Sequence, residues 1–146
     1  MKYISHRGNI SGKNVKRENH PLYIMEAIAL AFDVEIDVWM KDGMYYTGHD
    51  NPQYAINLSF LENDKLWCHA KNIECFHEML KNKKIHCFWH QEDFCTLTSR
   101  GFVWTYPGQD LFDNSICVLP EASKYEKISC YGMCSDYICE YREGLR

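Results

Sequence analysis

Short strand-like segments dominate this chain of 146 residues and constrain its fold more than any other feature. Eight segments are rich in aromatic or β-branched residues and are bounded by Gly, Asn, Asp or Pro, which is typical of β-strands separated by turns. They span residues 3–6, 34–40, 44–47, 66–71, 85–89, 102–106 and 115–119, with the last one inside 128–138. Helical periodicity is confined to two segments, residue 21 to about 32 and residue 73 to about 82. The sequence therefore predicts an α/β protein with few helices.

The strand predicted at residues 34–40 carries two carboxylates on one face. Successive side chains of a strand point to opposite faces, so Glu35 and Asp37 share one side while Ile36 and Val38 point the other way. The apolar side is suited to packing, which favours an acidic side that lines a site. Divalent cations of the hard class prefer oxygen ligands. Glu35 and Asp37 are therefore candidate metal ligands.

Two histidines flank the acidic strand in the sequence. His6 ends the first predicted strand and is followed by Arg7 and Gly8, and His49 follows a glycine after the third strand. Histidine titrates near neutral pH, so it can both accept and donate a proton. Two histidines together with two carboxylates are the composition of a metal-assisted acid/base site.

Five short motifs in the first fifty residues follow an order and spacing known from one enzyme family. They are His6-Arg7-Gly8, Glu18-Asn19, Glu35-Ile36-Asp37-Val38, Lys41-Asp42-Gly43 and His49-Asp50. This part of the chain resembles the N-terminal half of the glycerophosphodiester phosphodiesterase family, which belongs to the phospholipase-C-like phosphodiesterase superfamily. Beyond residue 71 the similarity is confined to residues 102–105 and 132–137.

The resemblance implies a metal-dependent phosphoric diester hydrolase of lipid metabolism. Its substrate would be a glycerophosphodiester-like small molecule or a surface-glycan phosphodiester, with a hydroxyl of the substrate as the internal nucleophile. The implied roles are acid/base catalysis for His6 and His49, binding of a Mg, Ca or Mn ion for Glu35 and Asp37, and phosphate binding for Arg7 and Lys71. A catalytically impaired barrel that binds a phosphorylated ligand is the alternative, and a cysteine-rich structural or interaction protein is the third hypothesis.

The strand predicted at residues 66–71 departs from the pattern of the family's third strand. The family has a Glu-x-Lys pair there, and in this chain His69 replaces the glutamate while Lys71 matches. Period two places Trp67, His69 and Lys71 on one face, so the imidazole should still reach the site. A neutral imidazole suits zinc or manganese better than calcium or magnesium. Glu121 could instead supply the missing oxygen ligand.

Three other residues each have two interpretations. Glu18 and Asn19 precede a predicted helix, so they either cap it or, as the resemblance implies, support the site from behind the ligands. Trp104 either fills the barrel or lines the substrate pocket.

The length of the chain limits the architecture. The family barrel of eight strand-helix units usually needs about 250 residues. We therefore predict a single domain over residues 1–146 that is a compact, helix-poor TIM-type barrel. The alternative is an open α/β sheet with the same site at its carboxyl edge.

The amino-acid composition limits the partners and the compartment that we expect for this chain. A net charge of -4 provides no basic surface for nucleic acid, and the resemblance implies a small-molecule phosphodiester as the partner. No apolar stretch approaches the length of a membrane span and no signal peptide is evident, which predicts a cytoplasmic protein. The eight cysteines are expected to be mainly buried free thiols, and the spacing of Cys130, Cys134 and Cys139 fits no standard zinc motif.

Overall fold

The computed structural model describes residues 1–146, which form a curled ten-stranded sheet with four short helices. The strands are β1 Lys2–His6, β2 Asp33–Lys41, β3 Met44–Thr47, β4 Tyr54–Ile56, β5 Leu66–Ala70, β6 Cys87–Trp89, β7 Cys95–Leu97, β8 Val103–Thr105, β9 Ser115–Val118 and β10 Gly132–Ser135. The helices are α1 Pro21–Ala29, α2 Leu58–Leu61, α3 Ile73–Lys81 and α4 Ile138–Glu143, and Pro120–Ala122 forms a 3-10 turn.

Parallel pairing aligns the carboxyl ends of the central strands. The parallel strands follow the order β6-β5-β2-β1-β10-β9-β8, and β7 pairs antiparallel with β8. Strands β3 and β4 extend antiparallel from the second half of β2. The register sets His6 beside Glu35 on β1 and β2, and Asp37 beside His69 on β2 and β5. The polar residues of separate strands therefore meet at one edge of the sheet.

The mixed α/β class with few helices is confirmed, but a complete TIM-type barrel is not formed. The sheet curls into a half-barrel, and no strand ladder joins β6 to β7. Single hydrogen bonds connect the two sides instead, from Ser99 N to Cys87 O at 2.8 Å and from Thr96 Oγ1 to Trp89 O at 2.8 Å. An open α/β sheet therefore describes the structure equally well.

Each face of the sheet has its own apolar core. The convex face of β2 and β5 packs against α1 and α3 through Val34, Ile36, Leu66 and Cys68. The concave face has an apolar floor made of Ile4, Trp67, Phe88, Trp104, Ile116, Val118 and Cys134. Two residues further along several of these strands, the same face carries His6, His69, His90, Tyr106 and Asp136. A polar layer thus covers the floor at the carboxyl edge.

The predicted elements match the structure well, with four omissions. Both predicted helices are present as α1 and α3, and the eight predicted strands correspond to β1, β2, β3, β5, β6, β8, β9 and β10. The short elements β4, β7, α2 and α4 were not predicted, and Ile138 begins α4 where the last strand was expected to end. All eight cysteines are free and most are buried, as expected; the buried ones are Cys68, Cys75, Cys87, Cys117 and Cys134. No helix has the length and apolar character needed to cross a membrane.

Candidate functional site

The polar layer surrounds a cavity of about 540 Å³ at the carboxyl edge of the sheet. Its lining includes His6, Arg7, Glu35, His49, His69, Lys71, His90, Trp104, Tyr106 and Asp136. The cavity thus collects residues from β1, β2, β5 and β8, together with the segments that follow β1, β3, β5, β6, β8 and β10. It is the site at which the residues predicted from sequence can act together.

A sharp turn after β1 places the His-Arg-Gly motif at the cavity. Arg7 has φ 56° and Gly8 has φ 93°, and a Cβ at Gly8 would lie 2.7 Å from the Tyr23 ring. Glycine is therefore required for this close turn. The turn is fixed to β2 because Arg7 N donates to Glu35 O at 2.9 Å.

His6 is held in a defined orientation by Asp136. Its Nδ1 lies 2.7 Å from Asp136 Oδ1, and Asn9 Nδ2 donates to the same carboxylate oxygen at 2.8 Å. The other ring nitrogen, Nε2, lies 3.9 Å from Glu35 Oε2. Burial alone would lower the pKa of His6, but the hydrogen bond with Asp136 and the charge of Glu35 outweigh it and raise the pKa above its usual value. His6 therefore has one fixed and one available nitrogen.

Glu35, Asp37 and His69 form a compact group of potential metal ligands. One ligand atom from each residue lies within 4.8 Å of the others. Nδ1 of His69 is 3.2 Å from Asp37 Oδ1 and 3.8 Å from Glu35 Oε1. Nε2 of His69 lies 3.0 Å from the backbone oxygen of His90, which can only accept, so Nε2 carries a proton. Nδ1 faces the two carboxylates, to which the protonated ring can donate, whereas the neutral ring offers a lone pair to a cation placed between them.

These residues fit a divalent cation. Glu35 Oε2 and Asp37 Oδ1 are buried and have no hydrogen-bond partner. Buried carboxylate oxygens normally find a donor or a metal, so two such atoms beside an imidazole lone pair match a cation with mixed nitrogen and oxygen ligands. The bond from His69 to the His90 carbonyl is the type of contact that orients a metal-binding histidine.

Two cations lie beside Asp37. Arg7 Nε is 2.9 Å from Asp37 Oδ2, in an ion pair that is not aligned as a hydrogen bond, and Lys71 Nζ is 3.4 Å from Asp37 Oδ1. Burial alone would raise the pKa of Asp37, but contact with His69 and the charges of Arg7 and Lys71 hold it well below its usual range. The pKa of Glu35 is instead raised, by burial and by the charge of Asp37. The two carboxylates therefore differ in how well their charges are compensated.

Glu18 and Asn19 are part of the network behind the ligands. Asn19 makes two hydrogen bonds with Asp37. Its Nδ2 donates to Asp37 Oδ2 at 2.8 Å, and its Oδ1 accepts from Asp37 N at 2.9 Å. Glu18 accepts from Asn9 Nδ2 at 3.0 Å and from Arg7 Nη1 at 3.4 Å. The N-cap of α1 is His20 rather than either of these residues.

His49, Glu121 and Trp104 differ in their position relative to the cavity. His49 is at the rim of the cavity with 44% of its side chain exposed, and its Nδ1 is 2.7 Å from Asp50 Oδ1. Glu121 is outside the cavity lining, where it accepts from Ser135 Oγ at 2.9 Å and from Asp136 N at 3.0 Å. Trp104 belongs to the apolar floor and also lines the cavity.

Several residues of the site were not singled out from the sequence. Asp136 lies two positions after Cys134, and His90 two positions after Phe88, on the concave face of their strands. The period-two rule could have found both, once the inner face of each strand was known. Tyr106 follows Trp104 by the same spacing, and His90 and Tyr106 both line the cavity. Burial and the charge of His69 lower the pKa of His90 to about 4.

Comparison with known proteins adds no functional information. No family model matches the chain, and neither a curated protein nor a solved structure matches it. The resemblance to glycerophosphodiester phosphodiesterases therefore stays a prediction from short sequence motifs. A functional proposal has to rest on the side chains of this chain.

Proposed function

We propose that the protein is a metal-dependent phosphodiesterase that cleaves a glycerophosphodiester-like small molecule or a surface-glycan phosphodiester, with His6 in acid/base catalysis. The observation that carries the proposal is the orientation of His6. Asp136 binds its Nδ1 at 2.7 Å and leaves Nε2 facing Glu35, in a cavity that Arg7 and Lys71 also line. A proton-transfer group beside two phosphate-binding cations is what cleavage of a phosphodiester requires.

Arg7 and Lys71 are suited to bind the phosphate group. The guanidinium offers a planar set of donors that matches two phosphoryl oxygens, and the ammonium acts as a compact charge. Glu35, Asp37 and His69 would hold a divalent cation. When bound, that cation would supply charge neutralisation to the phosphoryl group and lower the cost of developing negative charge.

His6 would transfer a proton at Nε2 while its other nitrogen stays bonded to Asp136. The carboxylate fixes the tautomer and orientation of the ring, so Nε2 is the atom that can accept a proton from a substrate hydroxyl. His49 would serve as the partner that protonates the leaving alcohol, because it lines the same cavity at the rim. Its pairing with Asp50 would orient the ring in a comparable way.

A catalytically impaired protein that binds a phosphorylated ligand is the second candidate function. The exposure of His49 favours it, because nearly half of that side chain is in solvent and its contact is with Asp50 rather than with the buried group. The residues that would bind phosphate, Arg7 and Lys71, do not depend on His49.

Assay of diester hydrolysis across a metal series distinguishes the two functions. We expect release of phosphomonoester from a glycerophosphodiester or glycan diester, best supported by manganese because one ligand is an imidazole. His6→Gln should reduce turnover by about two to four orders of magnitude, the usual contribution of a general acid or base. His77→Gln is the matched control, because His77 is exposed on α3 away from the cavity. Phosphate ester binding without turnover in the wild type would support the second function.

A further inference from the structure

His90 is a buried histidine to which the proposed chemistry gives no role. It directly follows β6 and is only 5% exposed, yet neither Nδ1 nor Nε2 has a hydrogen-bond partner. Most buried polar side-chain atoms in native proteins are paired, because an unpaired one loses its bonds to water without replacement. Two nitrogens on one ring without a protein partner are therefore available to a group from outside the chain, either water or a bound ligand.

The surroundings of His90 locate that partner in the cavity. His90, Trp104 and Tyr106, here called the aromatic wall, all line it, and the His90 and Tyr106 ring centroids are 3.8 Å apart. The main chain at His90 is fixed, because its carbonyl oxygen accepts from His69 Nε2 at 3.0 Å. The wall carries no carboxylate or fixed cation. Because the proposed function assigns the phosphate to Arg7 and Lys71, which also line the cavity, the aromatic wall would contact the alcohol part of a diester.

The chemistry of the wall discriminates between kinds of alcohol. A neutral imidazole has one donor and one acceptor, and a hydroxyl group can satisfy both because it also donates and accepts. A quaternary ammonium group does neither, so a choline-type alcohol would leave both His90 nitrogens unpaired. Aromatic rings with a few convergent polar atoms are typical of sites that bind small molecules.

We propose that the aromatic wall recognises a sugar or other polyol as the alcohol part of the substrate, with its hydroxyl groups hydrogen-bonded to the ring nitrogens of His90. The inference rests on the proposed function, because it requires the phosphate to bind at Arg7 and Lys71. His90 is thus a specificity-determining residue rather than a catalytic one.

Calorimetric titration of the manganese-loaded protein with three phosphomonoesters tests the inference without turnover. Glucose 1-phosphate supplies a polyol ring, phosphocholine a quaternary ammonium, and methyl phosphate neither. We expect glucose 1-phosphate to bind at least about tenfold more tightly than the other two, the effect of one or two well-made hydrogen bonds. His90→Phe keeps the stacked ring and removes both nitrogens, so it should abolish most of this preference and leave the affinity for methyl phosphate unchanged.

Two further variants control the experiment. His90→Gln retains a donor and an acceptor, so it should preserve part of the preference, and it decides the question if His90→Phe does not fold. His77→Phe makes the same substitution at an exposed histidine of α3 and should change nothing.

The possible failures are distinguishable. Equal binding of the three esters by the wild type, or tighter binding of phosphocholine, would overturn the inference while the phosphate site and the proposed function stand. A loss of manganese affinity in His90→Phe, with the sugar preference intact, would also overturn it by making His90 a metal residue. If no phosphate ester binds to the wild type, the proposed function fails together with the inference.

Discussion

Glu35 and Asp37 share one face of β2 but differ in their electrostatic surroundings. Asp37 contacts Arg7 Nε at 2.9 Å and Lys71 Nζ at 3.4 Å, and it also accepts a hydrogen bond from Asn19. Glu35 is 2% exposed, and its Oε2 has no hydrogen-bond partner. Without a metal, Asp37 is therefore a compensated charge and Glu35 is an uncompensated one, although both carboxylates were equivalent in the sequence.

This difference predicts opposite effects of two conservative substitutions on the metal-free protein. Glu35→Gln should raise the free energy of unfolding by about 1 kcal/mol, the usual size of a single-residue effect, because it removes a charge that burial and Asp37 oppose. Asp37→Asn should lower it by about 3 kcal/mol, because it leaves Arg7 and Lys71 near each other without their shared counter-charge. Urea unfolding with a chelator present measures both changes.

Addition of manganese supplies the control for this pair. The wild type should gain stability from the metal, and both variants should lose that gain if Glu35 and Asp37 are ligands. Changes of the same sign and size in the two metal-free variants would contradict the assignment of separate environments.

At the level of elements, the contact between β1 and β10 joins the two ends of the chain. Gly132 on β10 pairs with Lys2 on β1, and a Cβ at Gly132 would lie 2.8 Å from Lys2 O and 3.2 Å from Ile116 Cδ1. Only a residue without a side chain allows this approach. At their carboxyl ends, the same two parallel strands lead to His6 and Asp136, so the glycine contributes to the contact between these two residues.

We therefore expect Gly132→Ala to destabilise the protein more than Gly101→Ala. The new methyl group at Gly132 meets backbone and must move β1 away from β10, at a cost of about 2 kcal/mol or more. At Gly101 the added Cβ meets nothing within 4 Å, and the cost is the strain of φ 83°, about 1 kcal/mol. Thermal unfolding of the two variants makes the comparison, and equal melting temperatures would refute the steric argument.

What could be predicted from sequence follows from how local each feature is. The alternation of side chains along β2 and β5 is local, so Glu35, Asp37 and His69 were correctly expected to share a face. The His6–Asp136 contact joins residues far apart in the chain, and it depends on a strand register that the sequence does not specify. The exposed position of His49 depends on the loop after β3. Strands as short as β4 and β7 give too weak a pattern for recognition.

At the scale of the whole molecule, a few hydrogen bonds connect the two sides of the sheet where no strand ladder joins β6 to β7. Ser99 N donates to Cys87 O at 2.8 Å, and His86 Nε2 lies 2.9 Å from Thr98 Oγ1. These contacts, here called the seam, connect β6 to the segment after β7. The buried ring of His86 also lies against Trp67, with centroids 4.1 Å apart, so the seam is joined to the apolar floor.

The seam predicts how the stability of the fold depends on pH. Burial, and to a lesser extent the charge of Arg100, lower the pKa of His86 to about 3, whereas in the unfolded chain it is about 6.5. Between these values the unfolded chain binds a proton that the folded protein does not. The contribution of His86 to stability is therefore complete above pH 6.5 and is lost as the pH falls toward 3, by at most about 1.4 kcal/mol per pH unit.

His86→Gln tests this dependence, because glutamine can retain a hydrogen bond to Thr98 but does not titrate. We expect the variant to lose less stability than the wild type between pH 6 and pH 4, with a slope lower by about 1 kcal/mol per pH unit. Urea unfolding at each pH measures the slope. His77→Gln removes an exposed histidine and should follow the wild-type curve. If the His86→Gln curve runs parallel to that of the wild type, another group governs acid unfolding, and protonation at the seam does not open the half-barrel.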